Sequence, residues 1–210
     1  MRCELDHLVV GCADLEQGAA WLRARLGVEP QPGGRHAAMG THNRLLALGA
    51  RTYLELIAID PQAPAPARPR WFDLDAPAMR ERLAAAPRLI AWVVRCDDIA
   101  AAVTRVPALG RVHALTRGDY AWRIAIPDDG ARPFAGVLPA VIQWDSRAHP
   151  ADRLEQRGCT LVALELAHPD EAALLAAFRE LRITGPVELR SGPAALCARV
   201  RTPAGEAEIS

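Results

Sequence analysis

The chain has 210 residues, half of them hydrophobic, and its 25 acidic and 25 basic side chains give a formal net charge of zero. A chain of this length buries a substantial core in one large domain or two small ones. No basic run is interleaved with aromatic residues, and no apolar stretch reaches the roughly 18 residues of a membrane-spanning helix. We therefore expect neither a nucleic-acid nor a membrane partner.

The inventory of reactive side chains excludes several kinds of catalysis. The sequence has no lysine, which excludes Schiff-base and lysine-base chemistry, and none of its three serines lies in a Gly-x-Ser-x-Gly elbow. Its five cysteines are odd in number and widely spaced, which indicates reduced thiols rather than a disulfide framework. The first residues enter a strand pattern instead of a signal-peptide core. We expect a cytoplasmic protein that binds small molecules or other proteins.

The first 60 residues predict a βαβββ unit, which we call module one. Its first strand is short, apolar and branched and ends at Gly11. Asp14 then offers an N-cap to an amphipathic helix whose apolar residues recur at three- and four-residue spacing. The predicted elements are a strand at 5–10, a helix at 15–26, a Pro/Gly-rich loop at 30–34, and strands at 36–40, 43–48 and 52–59.

The opening strand recurs in the second half of the chain. Residues 89–99 repeat the pattern of residues 5–15 at an offset of 84 positions (91 − 7), with five of eleven residues identical, and Ala91 stands where His7 stood. Such a repeat fixes the unit from which a fold is built. The second unit, module two (88–150), is predicted to have a strand at 89–94, a helix at 99–106 and strands at 111–116, 120–126 and 137–144.

Two further segments complete the predicted organisation. A connector at 61–87 is rich in proline and alanine and leads into a helix at 71–86. A third, looser βαβββ unit spans 151–210, with a strand at 160–167, a helix at 170–181 and strands at 187–190, 194–201 and 206–209. A lone unit of about 50 residues buries too little apolar surface to be stable, so we expect the three units to pack side by side and share sheets.

Tandem βαβββ modules with a histidine in a first strand and a glutamate in the last resemble the vicinal-oxygen-chelate superfamily of glyoxalases, extradiol dioxygenases and antibiotic-resistance binding proteins. The chain is also similar, over nearly its whole length, to glyoxalase-like domain proteins. The motifs that carry the likeness are Leu5-Asp6-His7-Leu8-Val9-Val10, Gly33-Gly34-Arg35-His36, Gly40-Thr41-His42-Asn43, Tyr53-Leu54-Glu55-Leu56-Ile57, Trp122-Arg123, Gln143-Trp144-Asp145 and His149-Pro150. The resemblance implies an α+β fold in which the sheets of modules one and two curl into a cup, with a third βαβββ-like unit at the C-terminal end.

The resemblance also implies a divalent metal inside the cup. In the superfamily, side chains from the first and last strands of each module hold the metal, which acts as a Lewis acid on two adjacent substrate oxygens. His7 and Glu55 match the ligands of module one. In module two the matching positions are Ala91, which cannot bind a metal, and Gln143, which is a neutral and poor ligand.

Two histidines in the second-strand region of module one compensate for this loss. Either His36 or His42, joining His7 and Glu55, makes a two-histidine, one-carboxylate set with open positions for substrate. We assign His42 to the metal, so the predicted ligands of a zinc, manganese, iron or nickel ion are His7, Glu55 and His42. The alternative is that both histidines line the rim of a pocket or contact water.

The remaining site residues are assigned to the substrate. Those residues are His36, Asn43, Arg123 and Gln143, of which Arg123 neutralises an anionic group. Glu55 is the catalytic carboxylate, because a charge buried in the middle of a strand needs a cation or hydrogen-bond donors to offset its desolvation. An ion pair of Glu55 with Arg44 or Arg123 is the alternative to a functional role.

The tryptophans are assigned to the core. Trp92 and Trp144 adjoin Ala91 and Gln143, so strand alternation directs both indole rings away from the cup. His149 is expected to cap a turn.

Together these assignments predict a cytoplasmic glyoxalase-like protein that binds a small oxygenated metabolite in the cup of modules one and two, as a metal-assisted lyase, isomerase or dioxygenase. Whether it is an enzyme stays open, because Ala91 and Gln143 favour a metal-free protein that sequesters a small molecule, as the superfamily's antibiotic-resistance members do. No organic cofactor is expected. Exposed sheet edges are compatible with a homodimer in either case.

Overall fold

The computed structural model describes residues 1–210. Its helices and strands are β1 (Cys3–Gly11), α1 (Leu15–Leu26), β2 (Gln31–His36), β3 (Thr41–Ala47), β4 (Tyr53–Ile59), α2 (Pro77–Ala85), β5 (Arg88–Cys96), α3 (Ile99–Arg105), β6 (Arg111–Arg117), β7 (Tyr120–Ile126), β8 (Ala140–Trp144), β9 (Thr160–Ala167), α4 (Glu171–Leu181), β10 (Ile183–Thr184), β11 (Val187–Arg190), β12 (Ala195–Thr202) and β13 (Gly205–Ile209). Short 3-10 helices lie at Ala37–Met39, Pro107–Leu109, Pro133–Gly136 and Pro150–Arg153. None of the helices combines the length and the apolar composition needed to cross a membrane.

Local sequence sets both ends of α1. The Asp14 side chain accepts a hydrogen bond from the Gln17 backbone N–H at 2.8 Å, which caps the first turn. Gly27 ends the helix in the left-handed conformation, with φ of 71°. Between these ends, Leu22 and Leu26 are buried against the sheet, so the predicted helix is observed with its predicted bounds.

Modules one and two form one curled sheet with the strand order β2-β3-β4-β1-β5-β8-β7-β6. The modules meet where β1 and β5 pair antiparallel, with His7 opposite Val93 and Val9 opposite Ala91. An offset of 84 residues (91 − 7 and 93 − 9) exchanges these two pairs. The internal repeat therefore corresponds to a pseudo-twofold symmetry, whose axis passes between β1 and β5.

The two faces of the curled sheet have different coverings. Helices α1 and α3 and the third unit pack against the convex face in a cluster of 34 buried hydrophobic residues. The connector covers the concave face, where Trp71, Phe72 and Leu74 belong to a second cluster with Val9 and Ala91. The connector thus enters the cup, and it narrows the space in which a ligand can bind.

The third unit forms a separate four-stranded sheet in the order β11-β9-β12-β13. Its first strand, β9, lies between two others, whereas β1 and β5 each lie at one side of their own module. Only the two-residue β10 joins the large sheet, parallel to β1. The predicted α+β architecture with a curled sheet and an additional C-terminal unit is confirmed, but the expectation that all three units share sheets is wrong. The division of the chain into modules and a connector stays a prediction.

Two regions differ from the elements predicted by local sequence. The segment 30–34, predicted as a loop, contains most of β2, and the strand predicted at 36–40 is mainly a short 3-10 helix. The helix predicted at 71–86 begins later, because Phe72 and Asp73 adopt left-handed backbone conformations with φ of 60° and 59°. Pairing with β3 in the first case, and packing of Trp71 and Phe72 against the concave face in the second, outweigh local propensity.

Candidate functional site

A narrow cavity with a solvent-accessible volume of about 30 Å³ lies on the concave face. Its polar groups come from His7, His36, Asn43, Glu55 and Arg117. Aromatic rings of Tyr53, Trp71, Trp122 and Trp144 form much of its wall. A wider groove adjoins the cavity, and Leu45, Arg117 and Pro150 line both. A few convergent polar groups in an apolar wall are typical of a small-molecule site.

His7 reaches the cavity from the middle of β1. Its imidazole stacks on Tyr53, its neighbour in β4, with ring centroids 4.6 Å apart and an interplanar angle of 16°. The Nδ1 atom lies 2.6 Å from Asp6 Oδ1, and the Nε2 atom lies 3.8 Å from Glu55 Oε2. Burial, followed by the Asp6 and Glu55 carboxylates, raises the pKa of Tyr53 well above its usual value, so this ring stays a neutral phenol.

Glu55 is held by an amide that is itself fixed by the backbone. Asn43 Nδ2 donates a hydrogen bond to Glu55 Oε1 at 2.6 Å, and Asn43 Oδ1 accepts one from the Gly34 N–H at 2.8 Å. A Cβ atom at Gly33 would lie 2.1 Å from Asn43 Oδ1, so a glycine at this position lets β2 approach closely. The pair of glycines therefore positions Asn43, and Asn43 leaves Glu55 Oε2 facing His7.

His36 approaches the same carboxylate from the end of β2. Its Nδ1 atom lies 3.0 Å from Thr41 Oγ1, and its Nε2 atom lies 3.8 Å from Glu55 Oε1. Arg117 Nη1 donates to His36 Nε2 at 3.0 Å. Burial lowers the pKa of His36 to about 4, with the Glu55 carboxylate opposing this effect and Arg117 adding to it. His36 is therefore neutral near pH 7 and carries an accepting Nε2.

Arg117 extends from the end of β6, so module two contributes the cation of a cavity built mainly by module one. Its Nη1 atom also lies 3.4 Å from Asn43 Oδ1, and its guanidinium lies over Tyr120, 5.6 Å from the ring centroid. No carboxylate lies within ion-pair distance of Arg117, whereas Arg44 pairs with Glu16. Arg117 therefore offers free N–H donors to the mouth of the cavity.

Behind His7 lies Asp6, which has no exposed surface. A shift in the β1–β5 register leaves Asp6 unpaired, so it faces the cup together with the adjacent histidine. Trp144 Nε1 donates to Asp6 Oδ2 at 3.1 Å, and His149 Nε2 lies 3.0 Å from the same oxygen. Burial raises the pKa of Asp6, but hydrogen bonds from His149 and His7 outweigh burial and hold this pKa well below its usual value.

Four of the seven predicted site residues line the cavity, and three lie outside it. The four are His7, His36, Asn43 and Glu55. His42 does not reach the cavity, because successive β3 side chains face opposite sides and Asn43 faces inward. The assignment of His42 to the metal is therefore corrected, and His36 is the histidine beside His7 and Glu55.

Arg123 also faces away from the cavity. Its guanidinium pairs with Asp145, with Nη2 2.7 Å from Oδ1 and Nε 3.0 Å from Oδ2, at the surface of the sheet. The neighbouring Trp122 faces inward, so alternation along β7 directs Arg123 outward. Neither a substrate role for Arg123 nor its ion pair with Glu55 agrees with this geometry, and Arg117 is the arginine of the cavity.

Gln143 is likewise corrected. Its Oε1 atom accepts the Ile99 N–H at 2.9 Å at the start of α3, on the helical side of the sheet. Strand pairing matches Val9 with Glu55 in module one and Val93 with Ala140 in module two, so Ala140 is the counterpart of Glu55.

Alternation along β8 then directs Trp144 into the cavity, contrary to the prediction from the sequence. Trp92, in contrast, lies in the cluster on the convex side as predicted.

The cavity residues that were not predicted have only weak signals in the sequence. Asp6 adjoins His7 in the opening motif, and His149 caps a turn as expected, accepting from the Ala151 N–H at 3.2 Å. Neither signal predicts that these two residues, 143 positions apart in the sequence, are in contact. Arg117 had no signal, because only the curl of the sheet brings the β6–β7 hairpin close to β2.

The donor set of the cavity fits a divalent metal in its chemistry. His7 and His36 each have Nδ1 at a hydrogen-bond partner and direct Nε2 to within 3.8 Å of a Glu55 oxygen. Two imidazoles and one carboxylate suit zinc, manganese or iron. As they stand, however, no three histidine, cysteine, aspartate or glutamate side chains are placed to hold a metal ion, and Arg117 donates a hydrogen bond to His36 Nε2.

One of three solved structures similar to this chain shows the fold. A hypothetical protein from Staphylococcus aureus superposes with a TM-score of 0.58 at 14% identity, covering 92% of this chain and 88% of that chain. Methylmalonyl-CoA epimerase from Mycobacterium tuberculosis gives 0.43 at 18% identity, with coverages of 69% and 88%. A methylmalonyl-CoA epimerase in complex with methylmalonyl-CoA and NH4+ gives 0.45 at 16% identity, with coverages of 71% and 100%.

No curated protein sequence matches the chain significantly. The family model described as glyoxalase-like domain matches residues 5–182, which is most of the chain. Proteins of the vicinal-oxygen-chelate superfamily often use a divalent metal. The chain belongs to the glyoxalase-like domain family of that superfamily.

Proposed function

We propose that this protein binds a small oxygenated metabolite in the cavity and acts on it as a metal-assisted lyase, isomerase or dioxygenase. The observation that carries the proposal is the convergence of two imidazole Nε2 atoms, from His7 and His36, on the Glu55 carboxylate, at 3.8 Å each. A divalent metal bound there supplies Lewis-acid stabilisation of negative charge on substrate oxygens.

The cavity wall limits the kind of ligand that fits. Trp71, Trp122 and Trp144 offer apolar surface to a small or flat molecule, and Arg117 offers N–H donors to an oxygen or anionic group. Asn43 is already committed to Gly34 and Glu55, so its role is to hold the carboxylate. The role predicted for Arg123, neutralising an anionic group, therefore passes to Arg117.

Glu55 is the residue best suited to move a proton. Its Oε1 atom accepts from Asn43, whereas its Oε2 atom has only the His7 ring nearby, at 3.8 Å. A carboxylate with one oxygen fixed and the other facing a cavity is positioned to accept a proton from a bound molecule or to bind a cation. Both roles require Glu55 to be ionised, and a cation held by Glu55 and His7 together also requires an unprotonated Nε2 on His7.

Metal-free binding of a small molecule is the second candidate, and one contact favours it. Arg117 Nη1 lies 3.0 Å from His36 Nε2, where its charge would repel a metal ion. Module two adds no ligand, since Ala91 and Ala140 hold the positions related by the pseudo-twofold axis. In this case the protein sequesters its ligand through the aromatic wall and Arg117.

Metal analysis separates the two candidates. Protein purified without a metal-binding tag is incubated with manganese, iron, zinc or nickel salts, dialysed and analysed for bound metal. The metal-assisted reading predicts stoichiometric metal in the parent and none in His7→Ala or Glu55→Gln. His42→Ala is the matched control, because it removes an imidazole outside the cavity and should retain the metal. A parent that takes up none of these ions would exclude the metal-assisted reading.

Arg117→Gln tests the competition at His36. Removing the guanidinium frees His36 Nε2, so the variant should bind metal more tightly than the parent if His36 is a ligand. Arg153→Gln, which removes a cation paired with Asp119 in the adjoining groove, is the control and should leave metal affinity unchanged. Equal metal affinity in all three proteins would remove His36 from the ligand set.

The oligomeric state and the cytoplasmic location remain proposals from the sequence. β13 forms one edge of the smaller sheet, and its unpaired backbone groups are available to a second copy. Sedimentation analysis of the purified chain gives its mass directly, and a monomer at all concentrations would exclude the homodimer.

A further inference from the structure

We propose that Asp6 is a positioning residue that keeps the proton of His7 on Nδ1 and thereby presents the Nε2 lone pair of His7 to the cavity. The assignment rests on the proposed function only through the role of His7. Beyond that function, Asp6 and its hydrogen-bond partners from β1, β8 and the segment after β8 form a buried group that sets the tautomer of His7.

The first step is the position of Asp6. Neighbouring residues in a regular strand face opposite sides, but the register shift in β1 leaves Asp6 outside the ladder with β5. Its side chain has no exposed surface and lies 2.6 Å from His7 Nδ1. A buried carboxylate must be compensated by hydrogen-bond donors, so its partners are fixed by the fold rather than exchanged with water.

The second step is the tautomer of His149. The Ala151 N–H donates to His149 Nδ1 at 3.2 Å, so this nitrogen carries no proton. The proton of the neutral ring is then on Nε2, which lies 3.0 Å from Asp6 Oδ2. Trp144 Nε1, which can only donate, lies 3.1 Å from the same oxygen. Asp6 Oδ2 therefore accepts two hydrogen bonds.

The third step follows from the chemistry of a carboxylate. With Oδ2 committed to Trp144 and His149, only Oδ1 faces His7. An ionised carboxylate has no proton to give, so His7 Nδ1 must donate, and in the neutral ring Nε2 is then the atom left with a lone pair. The arginine nearest to Asp6 is Arg95, and its Nη1 atom lies 4.0 Å from Asp6 Oδ2, too far for a hydrogen bond. On the other side of the ring, Glu55 Oε2 lies 3.8 Å from His7 Nε2, beyond hydrogen-bond distance, so the contact with Asp6 sets the tautomer.

The substitution Asp6→Asn reverses this arrangement without changing the shape of the side chain. Trp144 and His149 still donate, so the amide oxygen must occupy the position of Oδ2. The amide NH₂ then faces His7 Nδ1 and can only donate to it. The proton of His7 moves to Nε2, and the lone pair toward Glu55 is lost.

Long-range ¹H–¹⁵N correlation spectra of the imidazoles in metal-free protein test this directly. We expect His7 protonated on Nδ1 and His149 on Nε2 in the parent, and His7 protonated on Nε2 in Asp6→Asn. Asp152→Asn is the matched control, since it removes a carboxylate that accepts from the His149 backbone N–H at 3.1 Å and does not touch Asp6. Its His7 should match that of the parent.

Two outcomes overturn the proposal: a parent in which His7 carries its proton on Nε2, or an Asp6→Asn variant that keeps the parent tautomer. If the variant does not fold, the parent spectrum alone decides. Metal affinity gives an independent readout, which should fall about 10- to 100-fold in Asp6→Asn. A parent that shows the expected tautomer but binds no metal contradicts the metal-assisted function and leaves the role of Asp6 intact.

Discussion

Asn43 shows how single residues position the site. Its side-chain oxygen accepts the Gly34 N–H, and its side-chain nitrogen donates to Glu55 Oε1, so one amide connects β2 to the cavity carboxylate. Gly33 and Gly34 make room for this amide in different ways. A Cβ at Gly33 would meet the backbone oxygen of Asn43 at 2.7 Å, whereas a Cβ at Gly34 would meet the flexible side chain of Arg117 at 3.0 Å.

We therefore expect Gly33→Ala to be more harmful than Gly34→Ala. At Gly33 the clash moves backbone and the Asn43 amide, with a loss of about 1–3 kcal/mol in the free energy of unfolding, as for other overpacked sites. At Gly34 the arginine side chain moves aside. Urea unfolding of both variants measures the difference, and equal losses would contradict the role given to the backbone contact.

His36 predicts a pH dependence of stability in the metal-free protein. Burial lowers its pKa to about 4 from 6.5, with Glu55 opposing and Arg117 adding to the shift. Below pH 6.5 the unfolded chain takes up a proton at His36 that the folded protein refuses, so the free energy of unfolding falls as pH decreases toward 4. This contribution is complete above pH 6.5 and is lost as the pH passes through the folded value.

The comparison of the parent with His36→Gln isolates this effect. The variant has no titrating ring, so its free energy of unfolding should depend less steeply on pH between 6.5 and 4 than that of the parent. Equal slopes in the two proteins would show that His36 is not buried in its neutral form.

Among the helices and strands, those whose ends are set by local sequence were predicted correctly. The cap and the αL glycine fixed α1, and hydrophobic alternation located most strands. β2 was missed because Pro32 and Gly33 have low strand propensity, and this edge strand depends on its pairing with β3. The late start of α2 depends on Trp71 and Phe72 packing into the cup, which no local pattern reveals.

The candidate site was predictable to the extent that one module supplies it. The predicted site residues His7, Asn43 and Glu55 lie in predicted strands of module one, and all three line the cavity. The error at Gln143 arose because two strands were aligned by similarity of sequence, and a shift of three positions reverses the face of the sheet. Arg117 reaches the cavity only through the curl of the whole sheet, so residue spacing could not reveal it.

A substitution at Phe72 tests whether the connector is packed into the cup. Phe72 lies between the polar cavity and a smaller apolar cavity beside Ala91, and it is 5% exposed. Phe72→Ala should join the two cavities and lower the free energy of unfolding by about 3–5 kcal/mol. Val112→Ala is the control, because Val112 is 36% exposed and should change stability little. Denaturant unfolding measures both, and a small loss at Phe72 would show that the connector is not packed into the cup.

At the scale of the molecule, the pseudo-twofold axis relates two halves of unequal chemistry. Module one contributes the imidazoles and the carboxylate, whereas module two has alanines at the related positions and contributes Arg117, Trp122 and Trp144. The connector then occupies part of the symmetric cup. The two related modules thus build one cavity, in which module one supplies the imidazoles and the carboxylate and module two supplies the cation and part of the aromatic wall.

The third unit completes the convex side of this structure, and we expect the whole chain to unfold in one transition. The cluster of 34 buried residues runs from Cys3 in β1 to Ile209 in β13, and the Leu161 N–H donates to the Leu48 oxygen across the boundary. A core shared in this way couples the stability of the units. All five tryptophans precede residue 150, so tryptophan fluorescence reports mainly on the cup and its connector, although Trp92 also contacts Phe178 of α4. Far-ultraviolet circular dichroism reports on the whole chain.

The two signals should therefore change together in urea. Leu174→Ala, a substitution of a fully buried residue in α4 of the third unit, should move both transitions to lower urea by the same amount, with a loss of about 2–5 kcal/mol. If fluorescence of the variant kept the parent midpoint while circular dichroism shifted, the third unit would be an independent domain. Coincident shifts would mean that the cup is stable only with the third unit packed beneath it.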